Sequence, residues 1–190
     1  MNDRHPVRAF IALSLPPPVK EMLANLASEL AVQTPPGAVR WVKPAAMHLT
    51  LRFLGDTAVT LLPTLGEQLD QLAARHRQFA LTTVSLGCFP NPRRPRVIWV
   101  GLETDSAALS ELKQALDELL APLGWPPETK PFHPHLTLGR LKDNQARLVL
   151  PWGELAEQER WPVTAVHLIQ SDLLPAGPKY RVLRTAVLGS

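Results

Sequence analysis

His48-Leu49-Thr50-Leu51 and His135-Leu136-Thr137-Leu138 repeat one tetrapeptide, supplying two imidazoles and two hydroxyls at identical spacing. Side chains of an extended strand alternate between its faces, so each copy sets its His and Thr on one face and both leucines on the other. The leucines belong to a core; His and Thr are left facing outward. Two imidazoles and two hydroxyls across a groove, with no carboxylate in either motif, suit general acid and base catalysis on a phosphate. A free imidazole titrates near pH ~6.5, so one protonated and one neutral ring coexist at working pH without large environmental tuning. A lone His-x-Thr is what any half-buried strand shows. Here only two of the six histidines have Thr two residues on, and those two also share both leucines. Pro44 and Pro134 precede the copies, Gly55 and Gly139 follow them, and the copies lie 135 − 48 = 87 residues apart in a chain of 190. Such agreement points to internal duplication.

The elements that would position these motifs follow from periodicity and punctuation. Val7 to Leu13 reads as a strand closed by Pro16, Pro17 and Pro18, which cannot continue a sheet but can open a helix. Lys20 to Gln33 carries apolar residues at helical spacing, Thr34-Pro35-Pro36-Gly37 ends it, and a short strand around Val39 to Val42 leads to the first His strand, which ends near Gly55. A helix through Leu61, Leu65, Leu69 and Leu72 follows, then strands over Phe79 to Leu86 and Arg96 to Leu102. Asp105 or Ser106 caps a third helix that stops at Gly124 and Pro126, after which comes the His135 strand. Strand, helix, His strand thus appears in each half. Two terminal strands lie near Val163 to Gln170 and Tyr180 to Leu188. The expected fold class is α+β: two pseudo-duplicated lobes of antiparallel-rich sheet with outer helices, forming a central cleft lined by the two His-x-Thr strands.

Composition bounds the rest. At 190 residues and 45% hydrophobic the chain can bury a real core, and residues 1–190 are expected to form a single bilobal domain. Lys and Arg number 20 against 17 Asp and Glu, so a polyanion is held at a local patch rather than by a pervasive field, which favours recognition of an end. The single Cys88 has no disulfide partner and no metal or nucleophile motif around it, and reads as a small apolar residue. Neither a signal-peptide pattern nor a run long enough to span a membrane is visible, so a cytoplasmic location is expected.

Pro131-Phe132-His133-Pro134-His135-Leu136-Thr137-Leu138-Gly139-Arg140 and Met47-His48-Leu49-Thr50-Leu51-Arg52-Phe53-Leu54-Gly55-Asp56 resemble the bacterial and archaeal RNA 2′,3′-cyclic phosphodiesterases, also called 2′-5′ RNA ligases, of the two-histidine phosphoesterase superfamily. The resemblance extends to Arg8 to Leu13, Arg96 to Gly101, and Ser171-Asp172-Leu173 with Tyr180. It implies an enzyme that opens a terminal 2′,3′-cyclic phosphate to a 2′-phosphate and can join RNA ends through a 2′-5′ linkage. His48 is then the proton donor and His135 the acceptor, and Arg140 matches an arginine of the second motif. The implied partners are RNA ends carrying the cyclic phosphate, such as tRNA fragments, or cyclic nucleotides. No cofactor, metal or membrane is implied, and a monomer is expected.

The residues agree with this chemistry. Thr50 and Thr137 share the histidines' strand faces, and their hydroxyls can donate to non-bridging phosphate oxygens. A guanidinium suits a phosphate, but strict alternation from His135 turns Arg140 to the opposite face, so a bulge at Gly139, or a strand ending there, is required. Arg52 has the parity of His48 and Thr50 and is expected to contact phosphate or RNA. Arg93, Arg94 and Arg96 offer a basic lip, and Phe10 and Tyr180 offer rings for a base or ribose. His5, His76, His167 and His133 read as surface or structural residues. Two rivals stay open: a metal-dependent phosphodiesterase using His48, His133 and His135 as ligands, and a non-catalytic module that binds RNA ends.

Overall fold

The computed structural model describes residues 5–142, 148–174 and 177–190. The elements run β1 (Val7–Ser14), α1 (Pro17–Val32), β2 (Val39–Trp41), β3 (His48–Thr57), α2 (Leu62–Ala74), β4 (Phe79–Phe89), β5 (Val97–Glu103), α3 (Ala108–Leu120), β6 (His135–Leu141), β7 (Gly153–Glu154), β8 (Arg160–Val163), β9 (Ala165–Leu174) and β10 (Gly177–Val187). α1 opens on its prolines, as the missing N–H and fixed φ of Pro allow in a first helical turn. α3 begins where the Ser106 hydroxyl accepts from Ala108 N, and it runs out at Gly124, which takes the left-handed φ of 102°. The strands β7 and β8 are additions to the sequence reading; both are short, which leaves too few residues for a periodicity to show.

Two antiparallel sheets result. The first has the order β10-β9-β1-β3; the second has β2-β6-β5-β4-β7, with β8 also paired to β4. The two halves match in topology: β1, α1 and β3 build one, β5, α3 and β6 the other, and in each the His strand returns antiparallel beside the strand that began the unit. The first sheet is completed by β9 and β10 from the far end of the chain. The leucines of both motifs are buried, with Leu49, Leu51, Leu136 and Leu138 all in the main core together with the apolar stripes of the three helices. That leaves the other face of each sheet for His and Thr. No described helix is long and apolar enough to cross a membrane.

Both His strands are bulged at the same place. In β3, Ala12 pairs with Thr50 but Ile11 pairs with Arg52, so Leu51 is the extra residue. In β6, Trp99 pairs with Thr137 but Ile98 pairs with Gly139, so Leu138 is extra. A bulge resets the alternation of faces. Beyond it, Phe53 and Arg140 occupy equivalent positions on the His faces, while Arg52 and Gly139 occupy equivalent positions turned inward. Gly139 has to lack a side chain, because a Cβ there would lie 2.6 Å from Val39 Cγ1 and 3.0 Å from Trp41 Cε3.

Candidate active site

The two histidines begin their strands and are held alike. His48 Nδ1 lies 2.9 Å from the Ala46 carbonyl oxygen and His135 Nδ1 lies 2.7 Å from the His133 carbonyl oxygen, each two residues back. A carbonyl only accepts, so Nδ1 carries the hydrogen in both rings and Nε2 is the atom left to exchange a proton. The residue before each motif fits this: Met47 and Pro134 separate a carbonyl from the ring it orients.

Each ring is walled by aromatic side chains. Phe10 stacks on His48 with centroids 4.7 Å apart, and Tyr180 meets His48 edge-on at 5.3 Å. On the other side Phe89 meets His135 edge-on at 5.0 Å and Trp99 lies 6.3 Å away. Trp99 lies over Gly87, where a Cβ would collide with the indole, and close to Gly101, where a Cβ would first meet Ser85 Oγ. This burial is the main cause that pushes both imidazoles below their ordinary value. The carbonyl hydrogen bond opposes it in each case, and a nearby cation adds to the depression: Lys20 for His48, Arg140 and then His133 for His135.

Arg140 ties the halves together electrostatically. Its charge acts on His135, and it also acts on Tyr180, whose phenol burial pushes up and Arg140 pulls down. Tyr180 comes from β10, where it pairs with Ser171 of β9 just beyond the four-residue pairing of β9 with β1, and β10 approaches the turn Pro44–Ala46 that precedes His48. The His strands β3 and β6 themselves come within 8 Å, Cα to Cα. The bulge required at Gly139 is present and turns Arg140 to the His135 and Thr137 face. Thr50 and Thr137 are half-buried on the faces of their histidines.

The expectation for Arg52 is corrected. The bulge at Leu51 reverses its parity, and its side chain is buried among Asp117, Glu128 and the Pro126 carbonyl rather than beside His48 and Thr50. Sequence alternation predicts a face only while pairing is regular. His133 and Arg93, Arg94 and Arg96 are exposed. His167 is half-buried with Nδ1 3.1 Å from Thr185 Oγ1, and Cys88 is buried. Among the described residues no three His, Cys, Asp or Glu side chains gather as a metal-binding group.

Sequence reasoning missed several contributors. Arg40 sits directly opposite Arg140 on β2, both exposed, so two arginines face each other at one edge of the second sheet. Like charges directly opposite on neighbouring strands repel, and an anion between them relieves the repulsion. Phe53 is 62% exposed, 6.0 Å from Phe10, at the place Arg140 holds in the other half. Trp99 is visible in sequence only as a strand residue, and Phe89 lies beyond the Phe79 to Leu86 strand read there, whereas β4 runs on to Phe89; nothing local marks either as a wall of His135.

Residues 14–173 match the model of the 2′-5′ RNA ligase superfamily. The chain is 34% identical over 165 residues to an RNA 2′,3′-cyclic phosphodiesterase of Aeropyrum pernix, covering 85% of this chain and 92% of that protein. To the RNA 2′,3′-cyclic phosphodiesterase of Thermus thermophilus it is 35% identical over 187 residues, covering 93% and 88%. The crystal structure of E. coli LigT complexed with 3′-AMP superposes with a TM-score of 0.78 at 28% identity, covering 97% of this chain and 99% of that one. A crystal structure of a Thermus thermophilus protein superposes with a TM-score of 0.81 at 30% identity, covering 96% and 99%.

Proposed function

This chain belongs to the 2′-5′ RNA ligase superfamily, and from that membership we propose that it is an RNA 2′,3′-cyclic phosphodiesterase in which His48 and His135 divide acid and base catalysis. The single observation that carries the reading is the duplicated hold on the rings: each Nδ1 is committed to a carbonyl two residues back, so each Nε2 is free for one proton. A hold of that kind fixes a tautomer and an orientation, which a core histidine does not need.

The cyclic phosphate, a monoanion, sits between the rings. Thr50 and Thr137 hydroxyls donate to its non-bridging oxygens, and Arg140, with Arg40 at its side, neutralises them; a guanidinium presents two parallel donors to such a group. His135 Nε2 takes a proton from water as the water oxygen bonds to phosphorus. The bond from phosphorus to the 3′ oxygen breaks on the opposite side, and the His48 imidazolium returns a proton to that oxygen. A 2′-phosphate and a free 3′-hydroxyl result. With an RNA 5′-hydroxyl in place of water the same proton transfers form a 2′-5′ linkage, and the reverse reaction exchanges the two roles. The substrates are RNA ends bearing the cyclic phosphate, tRNA fragments among them, and the protein acts as a monomer in the cytoplasm without a metal.

The deciding experiment is hydrolysis of an oligonucleotide ending in a 2′,3′-cyclic phosphate, with the product identified. Wild type yields the 2′-phosphate, and His48→Ala and His135→Ala, both folded, lose turnover. Turnover retained by either variant, or a 3′-phosphate product, rejects the assignment. Full activity after exhaustive chelation is expected as well.

A further inference from the structure

Arg52 and Lys113 are the two cations buried among the described residues, at 6% and 5% exposure, and neither faces the histidines. They form one cluster with two carboxylates. Arg52 Nη1 lies 3.5 Å from both Asp117 Oδ1 and Glu128 Oε2, Lys113 Nζ pairs with Asp117 and lies 3.4 Å from Glu128 Oε2, and Arg52 Nη2 donates to the Pro126 carbonyl. Arg52 comes from β3, Lys113 and Asp117 from α3, Pro126 and Glu128 from the connection between α3 and β6. The cluster therefore ties the first His strand to the segment that delivers the second.

That segment, residues 125–134, has neither helix nor strand. Irregular backbone keeps its conformational freedom unless side chains remove it. Here the fixings are few and point one way: Trp125 Nε1 donates to Leu54 O of β3 at 2.8 Å, Pro126 and Glu128 engage Arg52, Phe132 lies under Lys113 Nζ at 5.6 Å, and Pro134 O accepts from Leu102 N at 3.1 Å. The next carbonyl in line, that of His133, is the one that holds the His135 ring. Buried ion clusters add little net stability compared with apolar packing, and in some proteins they serve to fix one arrangement over others.

We infer that Arg52, with Lys113, Asp117 and Glu128, is a positioning device that sets the His133 carbonyl and through it the His135 imidazole relative to the His48 strand. The inference rests on the catalytic reading only for its kinetic consequence; the ring placement is testable without turnover.

The test compares Arg52→Met, Arg52→Lys and Glu128→Gln with wild type, and uses Asp70→Asn, which severs the separate Arg184–Asp70 pair, as a control. Glu128 is half exposed, so its variant keeps the fold when Arg52→Met does not. First, the Nδ1 protons of the two rings are followed by NMR. The His135 proton should exchange faster and broaden in Glu128→Gln and Arg52→Met, while the His48 proton, held by Ala46, stays as in wild type. Second, on a cyclic phosphate substrate, Arg52→Met should lower kcat by about tenfold or more and Glu128→Gln severalfold, with KM within about twofold, and Arg52→Lys should recover most of the loss. Asp70→Asn should move neither readout. An unchanged His135 proton in both Glu128→Gln and Arg52→Met overturns the inference. A change confined to KM would also overturn it and make Arg52 a substrate contact.

Discussion

The two histidines differ in their neighbours but share their constraint, and that combination sets what pH should do. Burial lowers both imidazoles, so in the free protein both rings are mostly neutral at pH 7. The acid role needs one of them charged, and a bound phosphate anion favours that charge. The kcat/KM profile, which reports the free protein, should therefore peak below the ordinary imidazole value of about 6.5, and the kcat profile should lie at higher pH. A kcat/KM maximum well above neutrality would contradict the burial argument. Either His→Ala change should cost about 10²–10⁴ in kcat, the usual share of a general acid or base. Stability moves with pH too. His48, His135 and His167 all titrate lower when folded, so the unfolded chain binds more protons just below pH ~6.5, and stability should fall as pH drops through that window. Urea midpoints compared above and below the window check the sign.

At the scale of elements, the paired bulges decide which residues the strands present. They turn Arg140 toward the site and Arg52 away from it, from motifs that look alike in sequence. Gly139 permits the second bulge to pack against β2. Gly139→Ala should force Val39 and Trp41 aside, cost about 1–3 kcal/mol as overpacking, and spoil the alignment of Arg40 with Arg140, so that thermal stability and affinity for the cyclic phosphate fall together. Gly87 serves β4 in another way, since it leaves room for the Trp99 indole. Gly87→Ala should lift the indole off the sheet toward His135, lowering kcat by more than the drop in thermal midpoint explains; unchanged turnover would mean that the wall does not matter.

Across the whole molecule, one aliphatic core joins both halves. Leu49, Leu51, Leu136 and Leu138 face into it while the half-buried His and Thr of the same strands take the opposite face. Leu136→Ala should cost about 2–5 kcal/mol by cavity formation, detectable in a denaturant titration, while kcat under conditions where the protein stays folded changes little. The same substitution at His135 should do the opposite. That contrast separates the two faces of a single strand.

The strand–helix–His strand order, the burial of the motif leucines and the pairing of His with Thr were all legible in the residues, as was the need for either a bulge or a strand end at Gly139 if Arg140 was to share the face of His135, because period, turn chemistry and side-chain parity are local properties of the chain. So was the family resemblance, since the motifs are contiguous. The tertiary structure alone decided the rest. Parity failed at Arg52 because the bulge at Leu51 exists only in the register that β3 takes against β1, which the tetrapeptide does not carry. Tyr180 could not be placed because its hairpin reaches His48 across more than a hundred residues of chain, and Phe89, Trp99 and Arg40 meet the motifs only through cross-strand register. Contacts of that kind depend on which strands become neighbours, and no local pattern encodes the choice.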